Sequence, residues 1–307
     1  NPVTGAGSAL SEPALDYVAV KVPSWPFDTF PQADDSLGPR MKATGEVLAL
    51  GTDFSQALVK ACRSLERGHT LPDSRMRTWD KKELWRQVNT PTNLRLEAIT
   101  ELLRRGSVTV EEMAHRTHIR RYFIERLNAI QLAEKYLQED GFVKENIVAA
   151  RKLGFTVSRI AKGCGVSRET AEAVLKDEGC LVGYREVDGC AGEFPSGSGY
   201  YYGVYGAGSD KWDEAEGGIA VLGSGPIRIA QGVEFDYCCV KAVEALRRRG
   251  IRAIMVNVNP ETVSTDHDIS DALYLEPLTL DDTRDVLLRE RAQGVFACFG
   301  GQTSLRL

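Results

Sequence analysis

Residues 218–260 read GIAVLGSGPIRIAQGVEFDYCCVKAVEALRRRGIRAIMVNVNP, and this stretch decides the fold class of the 307-residue chain. It begins with an apolar run typical of a buried strand, passes through a Gly-rich turn into a helical pattern, and ends in a second strand. Further on, TLDDTRDVLLRERA predicts a helix and GVFACFGG predicts a third strand. Because strand, turn, helix and strand at this spacing form a right-handed βαβ unit, residues 218–307 are predicted to be an α/β domain with a parallel sheet.

Residues 1–51 contain too little apolar sequence for a core of their own. They are rich in Pro and Gly and contain two strand patterns, LDYVAVKVP and EVLAL. The prolines of SWPFDTFP are expected to exclude regular structure between these two strands. We therefore interpret this segment as the tail of a domain whose body lies elsewhere. The whole chain, which starts at Asn1, is expected to be a piece of a longer protein.

Residues 52–180 have the pattern of a compact all-α domain with short connections. Apolar periodicity and capping residues predict helices at 53–68, 92–105, 109–117, 120–139, 143–153, 156–162 and 167–177. The next segment, 181–217, is predicted to be a linker because it is rich in Gly, Ser and acidic residues. Its tyrosine cluster indicates that this linker is docked on the protein; the cluster is formed by Tyr200, Tyr201, Tyr202 and Tyr205.

The composition excludes several classes of protein. With 43% hydrophobic and 26% charged residues, the chain can bury about two domain cores, so it is neither disordered nor collagen-like. A net charge of −5 provides no basic field for non-specific binding of nucleic acid. Seven cysteines without a CxxC pair indicate free thiols in a reducing compartment, which is the cytoplasm or an organelle matrix. No apolar run approaches the roughly 18 residues of a membrane span.

The Gly-rich turn GSGPIRIAQG follows the first strand of the α/β domain. Such a turn suits anionic ligands, because backbone N–H groups and a helix N-terminus can face a phosphate. Gly223 and Gly225 supply the first two glycines of a dinucleotide fingerprint, but Arg228 stands where the third is required. The second strand also ends in Asn257 and Asn259 instead of the expected acidic residue. A structural turn is therefore favoured over a nucleotide site.

The segment FTVSRIAKGCGVSRETAEAVLKDEG imitates a helix-turn-helix motif: a short helix, a Gly turn and a Ser-capped second helix. One hypothesis is therefore a DNA-binding helical domain fused to an α/β ligand-sensing domain. The other is ordinary packing, since two short helices joined by a tight turn need the same residues. Four acidic residues on the second helix count against a groove-reading role, which needs a basic helix; they are Glu169, Glu172, Asp177 and Glu178.

The loop after the second strand, VNVNPETVSTDHDISD, collects several ionisable side chains where open parallel sheets place their ligands. They are Glu261, Asp266, His267, Asp268 and Asp271. Carboxylates beside a histidine are typical of a metal or acid–base site. A solvated acidic loop with capping residues fits the same spacing equally well, and both interpretations remain open here.

Three segments resemble the carbamoyl-phosphate synthase large-subunit family. The motifs GxGPxRIxQGxEFDYCC, NxNPETVSTDxDxSDxLYxEP and FGGQT of residues 222–303 resemble the start of that family's second synthetase half. SEPALDYVAVKVPSWPFDTF with MKATGEVLALG is similar to the end of the first half, and REVDGCAGEF with YYYGVYG is similar to the lead into the second. One departure is Ala230, where the family usually has Gly.

The resemblance implies a multidomain α/β plus α architecture. Residues 1–51 would end the first, carboxyphosphate-forming ATP-grasp half, and 52–180 would be a helical oligomerisation domain. After the linker 181–217, residues 218–307 would be the Rossmann-like pre-ATP-grasp domain of the second, carbamoyl phosphate-forming half. The helix-turn-helix interpretation then loses its basis.

The resemblance also implies the activity of the parent protein. It would be an ATP-dependent carbon–nitrogen ligase that makes carbamoyl phosphate from bicarbonate, ammonia and two ATP, for arginine or pyrimidine biosynthesis. Its implied partners are a glutaminase subunit or domain and further copies of itself, with neither nucleic acid nor membrane. ATP and Mg²⁺, or Mn²⁺, would bind parts of the parent outside this sequence, which would hold no catalytic or metal-ligating residue.

Within this sequence the resemblance assigns one role. Gly232, Glu234 and Glu261 would line the internal tunnel that brings carbamate to the second site. Gly232 and Glu234 follow the first strand of the parallel sheet, and Glu261 follows the second. The three residues are therefore expected to share a crevice at the carboxyl edge of the sheet.

Overall fold

The computed structural model describes residues 5, 7–8, 10, 12, 14–65, 71, 74–206, 208–210, 217–229 and 231–307. Its helices and its mostly parallel sheet give the mixed α/β class that the sequence predicts. The first part contains strands β1 (Val18–Ser24) and β2 (Gly45–Gly51), then helices α1 (Phe54–Ser64), α2 (Lys81–Asn89), α3 (Arg95–Arg104), α4 (Val110–Thr117), α5 (Arg121–Glu139), α6 (Lys144–Lys152), α7 (Val157–Cys164) and α8 (Arg168–Asp177).

The second part alternates strands and helices. It contains β3 (Val182–Glu186), β4 (Tyr200–Tyr205), β5 (Ile219–Leu222), α9 (Val233–Arg247), β6 (Ala253–Asn257), β7 (Ala272–Leu275), α10 (Leu280–Arg289), β8 (Gly294–Phe296) and the short α11 (Gln302–Leu305). Strands β5, β6 and β8 and helices α9 and α10 lie where the sequence predicts them. This agreement reflects their apolar or helical patterns, which are local signals.

Strands β1 and β2 form an antiparallel pair in which Val18 lies opposite Gly51. The exclusion of regular structure between them was wrong, because Pro26–Asp28 form a single 3₁₀ turn. Pro26 is its first residue, and proline is tolerated there since its fixed φ suits a helix and no backbone donor is lost.

In residues 52–180, called the helical block from here on, the structure confirms the predicted helices and adds one. The Asp53 carboxylate accepts hydrogen bonds from the backbone N–H groups of Ser55 and Gln56, as expected of the N-cap of α1. Gly68, the predicted end of this helix, lies outside the described residues. Helix α2 was missed because its sequence, KKELWRQVN, is mostly polar; Leu84 and Val88 are its fully buried apolar side chains, and Trp85 packs on the core while partly exposed.

Six strands form one sheet in the order β3-β4-β7-β6-β5-β8. All neighbours pair in parallel except the edge strand β3, which is antiparallel to β4. Two corrections follow. Residues 181–217 are not only a linker, since β3 and β4 belong to the sheet. The sequence reading also missed β7, because its four apolar residues are enclosed by the acidic side chains of Asp271 and Glu276.

The central strands β5, β6 and β7 are buried on both faces of the sheet. Val221, Met255 and Leu273 pack with residues of α9 on one face, and Ala220, Ile254 and Tyr274 pack with Val286 of α10 on the other. Every residue of β6 is buried. This double burial explains why the strands read as continuous apolar runs instead of alternating patterns.

Candidate functional site

The carboxyl edge of the parallel strands gathers the motifs that the sequence analysis singled out. The Gly-rich turn follows β5, the acidic loop follows β6, and the FGGQT segment follows β8. Because these three strands are parallel neighbours, their following loops all emerge at one edge. This edge is where open α/β sheets bind ligands.

The glycines at this edge allow loops to touch each other. A Cβ atom at Gly300 would lie 2.1 Å from the carbonyl oxygen of Gly223, and one at Gly223 would lie 2.4 Å from the side-chain Cγ of Asn257. Neither distance is compatible with a real side chain. Gly300 is therefore required by the close approach of two backbone segments, and Gly223 by the close approach of the Asn257 side chain, as the structural interpretation of the turn expects.

The polar groups of the Gly-rich turn are bonded within the protein. The Gly223 N–H donates to the Val256 carbonyl over 2.8 Å, and the Gly225 N–H donates to Asn257 Oδ1 over 3.2 Å. The Asn257 amide in turn donates to Ser264 Oγ over 3.1 Å. Asn257 thus fixes the turn and explains why an amide, instead of the acidic residue of a dinucleotide site, ends β6.

Arg228 connects the turn to the last helix. Its Nη2 donates to Gln231 Oε1 over 3.1 Å and to Thr303 Oγ1 over 3.3 Å. Buried Gln231 donates to Thr303 Oγ1 over 2.7 Å and to the Ser224 carbonyl over 2.6 Å. Gly223, Gly225 and Arg228 are thus brought together in one bonded unit. Ala230, the departure from the family pattern, lies outside the described residues.

Helix α9 begins with two of the predicted tunnel residues. The Gly232 N–H donates to Glu234 Oε1 over 3.2 Å, so the exposed carboxylate turns back over the N-terminus of its own helix. A negative charge is favoured there by the helix dipole. A Cβ at Gly232 would lie 2.8 Å from Glu234 Oε2, so even the smallest side chain displaces this carboxylate.

Glu261 is held by the strand pair β1–β2. Lys21 of β1 lies 2.6 Å from Glu261 and 2.5 Å from Glu46 of β2. These hydrogen bonds raise the pKa of Lys21 and lower the pKa of Glu261. The sequence analysis missed Lys21 and Glu46 as site residues, because a contact across 240 positions leaves no signal in local spacing.

The loop that carries Glu261 is tied to the start of α9. Buried Asp236 of α9 accepts a hydrogen bond of 3.0 Å from the Ser264 N–H. Gly232, Glu234 and Glu261 therefore lie on connected elements at one sheet edge. Among the described residues, however, no hydrogen bond or ion pair joins Glu234 to Glu261, and their common crevice stays a prediction.

The acidic loop supports no metal site in the described part of the chain. No group of three or more His, Cys, Asp or Glu side chains is arranged there to hold an ion. Asp271 accepts a hydrogen bond of 2.8 Å from the Ala253 N–H, while Asp266, His267 and Asp268 are exposed. These contacts are those expected of a solvated loop with hydrogen-bonded capping residues.

The helix-turn-helix imitation is packed against the sheet domain. Arg168 of α8 forms an ion pair with Asp281 of α10, and Ser158 Oγ of α7 donates to the same carboxylate over 3.0 Å. Glu172 of α8 also pairs with Arg284 of α10 over 3.3 Å. The second helix therefore uses Arg168 and Glu172 to hold α10 of its own chain.

Comparison with known proteins finds two family models that match separate parts of the chain. Residues 215–307 match the model of the carbamoyl phosphate synthase preATP-grasp domain. Residues 46–179 match the model of the carbamoyl-phosphate synthetase large chain oligomerisation domain. The chain belongs to the carbamoyl phosphate synthase large-chain family. The resemblance seen in the sequence is thereby confirmed, and the DNA-binding alternative finds no support.

Curated members of the large-chain family align with the whole of this chain. Carbamoyl phosphate synthase large chains from Methanothrix thermoacetophila, Caldanaerobacter subterraneus subsp. tengcongensis and Methanosarcina mazei are 44%, 43% and 43% identical to it over 100% of its length. The chain spans 28%, 29% and 28% of these relatives, respectively. Within the described residues, no helix is both long and apolar enough to cross a bilayer.

Proposed function

We propose that this chain is an internal part of a carbamoyl phosphate synthase, an ATP-dependent carbon–nitrogen ligase. The parent protein would make carbamoyl phosphate from bicarbonate, ammonia released from glutamine, and two ATP, for arginine or pyrimidine biosynthesis. The observation that carries this proposal is the 44% identity over the whole chain to a carbamoyl phosphate synthase large chain. The order of the two matching family models along the chain agrees with it.

The proposal assigns 1–51 to the end of the first ATP-grasp half and 218–307 to the pre-ATP-grasp domain of the second. Contacts between β2 and the sheet edge support this arrangement. The Leu48 N–H donates to the Val258 carbonyl over 3.0 Å. A Cβ at Gly45 would lie 2.0 Å from the Ile227 carbonyl oxygen. The end of one half would thus rest directly on the start of the other.

This junction suits the passage of an unstable intermediate between two sites. Carbamate must be kept from bulk water, and the strand pair contacts this sheet edge through Lys21 with Glu261 and through Leu48 with Val258. We propose that Gly232 keeps the path open, because any side chain there displaces Glu234. The carboxylates of Glu234 and Glu261 would orient the intermediate through its N–H groups.

The remaining functional groups of the enzyme would lie outside this chain. We propose that ATP and Mg²⁺, or Mn²⁺, bind other parts of the parent protein, where they would position and neutralise the phosphates during transfer. A glutaminase subunit or domain would supply ammonia, and helical residues 52–180 would mediate contacts between large chains. The seven free cysteines are consistent with a cytoplasmic or organelle-matrix enzyme.

The test compares the full-length parent with this chain alone. We expect the parent to form carbamoyl phosphate from bicarbonate, ammonia and ATP, and the isolated chain to form none. Carbamoyl phosphate formation by the isolated chain would contradict the domain assignment. A folded parent with no bicarbonate-dependent ATP hydrolysis would contradict the proposed activity itself.

A further inference from the structure

Helix α5 presents apolar side chains on two of its faces. One face is buried in the core of the helical block through Ile124, Leu127, Ile130 and Leu137. The opposite face carries three more apolar side chains that contact solvent: Tyr122 is 50% exposed, Leu132 37% and Tyr136 43%. An ordinary surface helix has one apolar stripe and a polar face opposite it, so the second apolar face of α5 indicates a further partner.

The exposed apolar residues of α5 follow the spacing of a helix–helix seam. Positions 122, 125, 129, 132 and 136 alternate steps of three and four residues, which places them on one line along an α-helix. This line, called the α5 stripe from here on, consists of Tyr122, Glu125, Ala129, Leu132 and Tyr136, none of which is buried. Isolated exposed apolar residues are common on protein surfaces, whereas a line at this spacing is typical of a helix that packs against a second helix.

One end of the α5 stripe is ordered by contacts within the chain. The Tyr122 ring packs against the rings of Phe123 and Phe54, with centroids 5.3 and 6.4 Å away. The Arg126 guanidinium lies 5.7 Å from the centroid of the same ring. Tyrosine and arginine are enriched among the residues that dominate binding at interfaces, and an anchor that is already ordered loses little conformational entropy on binding.

The two ends of α5 carry opposite charge. Residues 120–126 contain three arginines and one glutamate, hence a net charge of +2. Residues 134–140 contain three acidic residues and one lysine, hence a net charge of −2. Asp140 accepts a hydrogen bond of 2.9 Å from Asn146, and within the described residues neither Asp140 nor Arg120 forms an ion pair. Two α5 helices packed in parallel would bring like charges together, whereas antiparallel helices would bring each end beside its opposite.

These end charges do not stabilise α5 itself. Within this fully described helix, the first turn contains no acidic residue and the last turn no basic residue. The helix dipole favours the reverse, with acidic groups at the N-terminus and basic groups at the C-terminus. A partner that brings the opposite charge to each end explains this distribution, and an antiparallel copy of α5 is such a partner.

We propose that two copies of the protein pair through the α5 stripe, with their α5 helices antiparallel. This inference rests on the proposed role of residues 52–180 in contacts between large chains and names the face that makes them. The two-fold axis would pass between Ala129 and Leu132, so Arg120 would lie beside the partner's Asp140. Such a pairing is isologous, which means that the same residues of both copies form the interface.

The test is sedimentation velocity of the full-length protein and its variants over a range of concentrations. Leu132→Glu and Tyr136→Glu place a charge in the apolar seam, and each should weaken the association by at least about tenfold, because an isologous interface contains every substitution twice. Both side chains are exposed, so the variants are expected to fold, which thermal unfolding checks. The matched control is Leu288→Glu on α10, where leucine is 62% exposed, and it should associate as the unmodified protein does.

A charge exchange tests the antiparallel arrangement. Arg120→Asp and Asp140→Arg should each weaken the association, since each variant brings like charges together across the pair. The double variant restores opposite charges and should recover most of the association; a double variant no better than the single ones would overturn the arrangement.

The remaining outcomes separate this inference from the role on which it rests. If folded Leu132→Glu and Tyr136→Glu variants associate as the unmodified protein does, the assignment of the α5 stripe is overturned and contacts between large chains lie on another face. If the unmodified full-length protein is monomeric at every concentration, the proposed role of residues 52–180 is overturned together with it.

Discussion

Lys60 of α1 and Glu276, the residue after β7, form an ion pair in which neither side chain reaches solvent. The same lysine donates to the Gly203 carbonyl over 3.0 Å, and Glu276 accepts from the Gly203 N–H over 2.6 Å. One buried unit therefore joins the helical block, β4 and β7. The second part of the chain is anchored to the first by charge as well as by apolar packing.

Four of the ion pairs across this contact divide the charges in the same way, whereas the pair of Glu172 with Arg284 has the reverse signs. The helical block supplies the cations and the segment 276–285 supplies the anions in the pairs Lys60–Glu276, Arg63–Asp282, Arg151–Asp285 and Arg168–Asp281. Because opposite signs face each other along the whole contact, this arrangement specifies how the helical block is oriented on the sheet domain.

Replacing only one partner of the Lys60–Glu276 pair should destabilise the chain strongly. Lys60→Met leaves a buried carboxylate without its counter-charge, and such losses typically cost about 3–5 kcal/mol. The measurement is the urea midpoint of unfolding, with the exposed Lys82→Met as control. Equal midpoints for the two variants would show that the pair contributes nothing to stability.

The free energy of unfolding should depend on pH through Asp285, and this dependence should be absent in the Asp285→Asn variant. Burial raises the pKa of Asp285 to about 6, since the Arg151 guanidinium is 3.9 Å away and compensates only in part. A carboxyl with a raised pKa stabilises the fold while protonated, so its contribution is complete below about pH 4 and is lost as the pH rises through about 6.

A pKa difference of that size corresponds to about 3 kcal/mol. Asp285→Asn should therefore gain stability relative to the unmodified chain as the pH rises from 4 to 7. Urea unfolding at several pH values measures this gain, and all other carboxyls are common to both proteins. Parallel stability curves for the two proteins would refute the buried environment assigned to Asp285.

Gly300→Ala should distort the Gly-rich turn. The added methyl group would overlap the Gly223 carbonyl, and overpacking of this kind costs about 1–3 kcal/mol. The control is Gly38→Ala, where a Cβ meets no atom within 4 Å. Thermal unfolding should show a lower midpoint for Gly300→Ala only. Indistinguishable midpoints would mean that the two loops are not in contact.

The helical block should not bind DNA, because α8 is paired with α10 and carries a mixed charge. In a gel-shift experiment with random duplex at about 150 mM salt, we expect no complex at submicromolar protein concentration. A complex at that concentration would mean an affinity tighter than that of usual non-specific binding. A basic DNA-binding domain serves as the positive control. A complex at that concentration would reinstate the helix-turn-helix interpretation.

The sequence predicted those parts of the molecule that rest on local patterns. The βαβ unit of β5, α9 and β6 and the capped helix α1 are set by apolar periodicity and by side chains within a few positions. Strand β7 was missed because four apolar residues between acidic neighbours carry too weak a pattern. The strands β3 and β4 were hidden in a segment whose Gly- and Ser-rich composition is typical of linkers.

The contacts that build the sites could be predicted from the sequence only in part. Gly223, Gly225 and Arg228 could be selected from one motif, because a single turn brings them together. The link of Lys21 to Glu261 and the buried pair of Lys60 with Glu276 depend on which distant surfaces meet. Only the folded chain brings those surfaces together, so no spacing rule could have found them.

We propose that the sheet edge at Gly232 lies on the path of the intermediate between two reaction sites. Glu261→Gln should reduce passage of the intermediate, and Gly232→Phe is the sharper variant because its bulky side chain would block the proposed path. Its matched control is Gly38→Phe, since Gly38 is exposed and has open space around it. Both variants are made in the full-length protein.

The decisive measurement compares two rates in each variant: carbamoyl phosphate formation from glutamine, and bicarbonate-dependent ATP hydrolysis. Gly232→Phe should lose most carbamoyl phosphate formation and keep most of the ATP hydrolysis, while Gly38→Phe keeps both. Equal loss of the two rates in Gly232→Phe, or no loss of either, would contradict the assignment of this edge to the path.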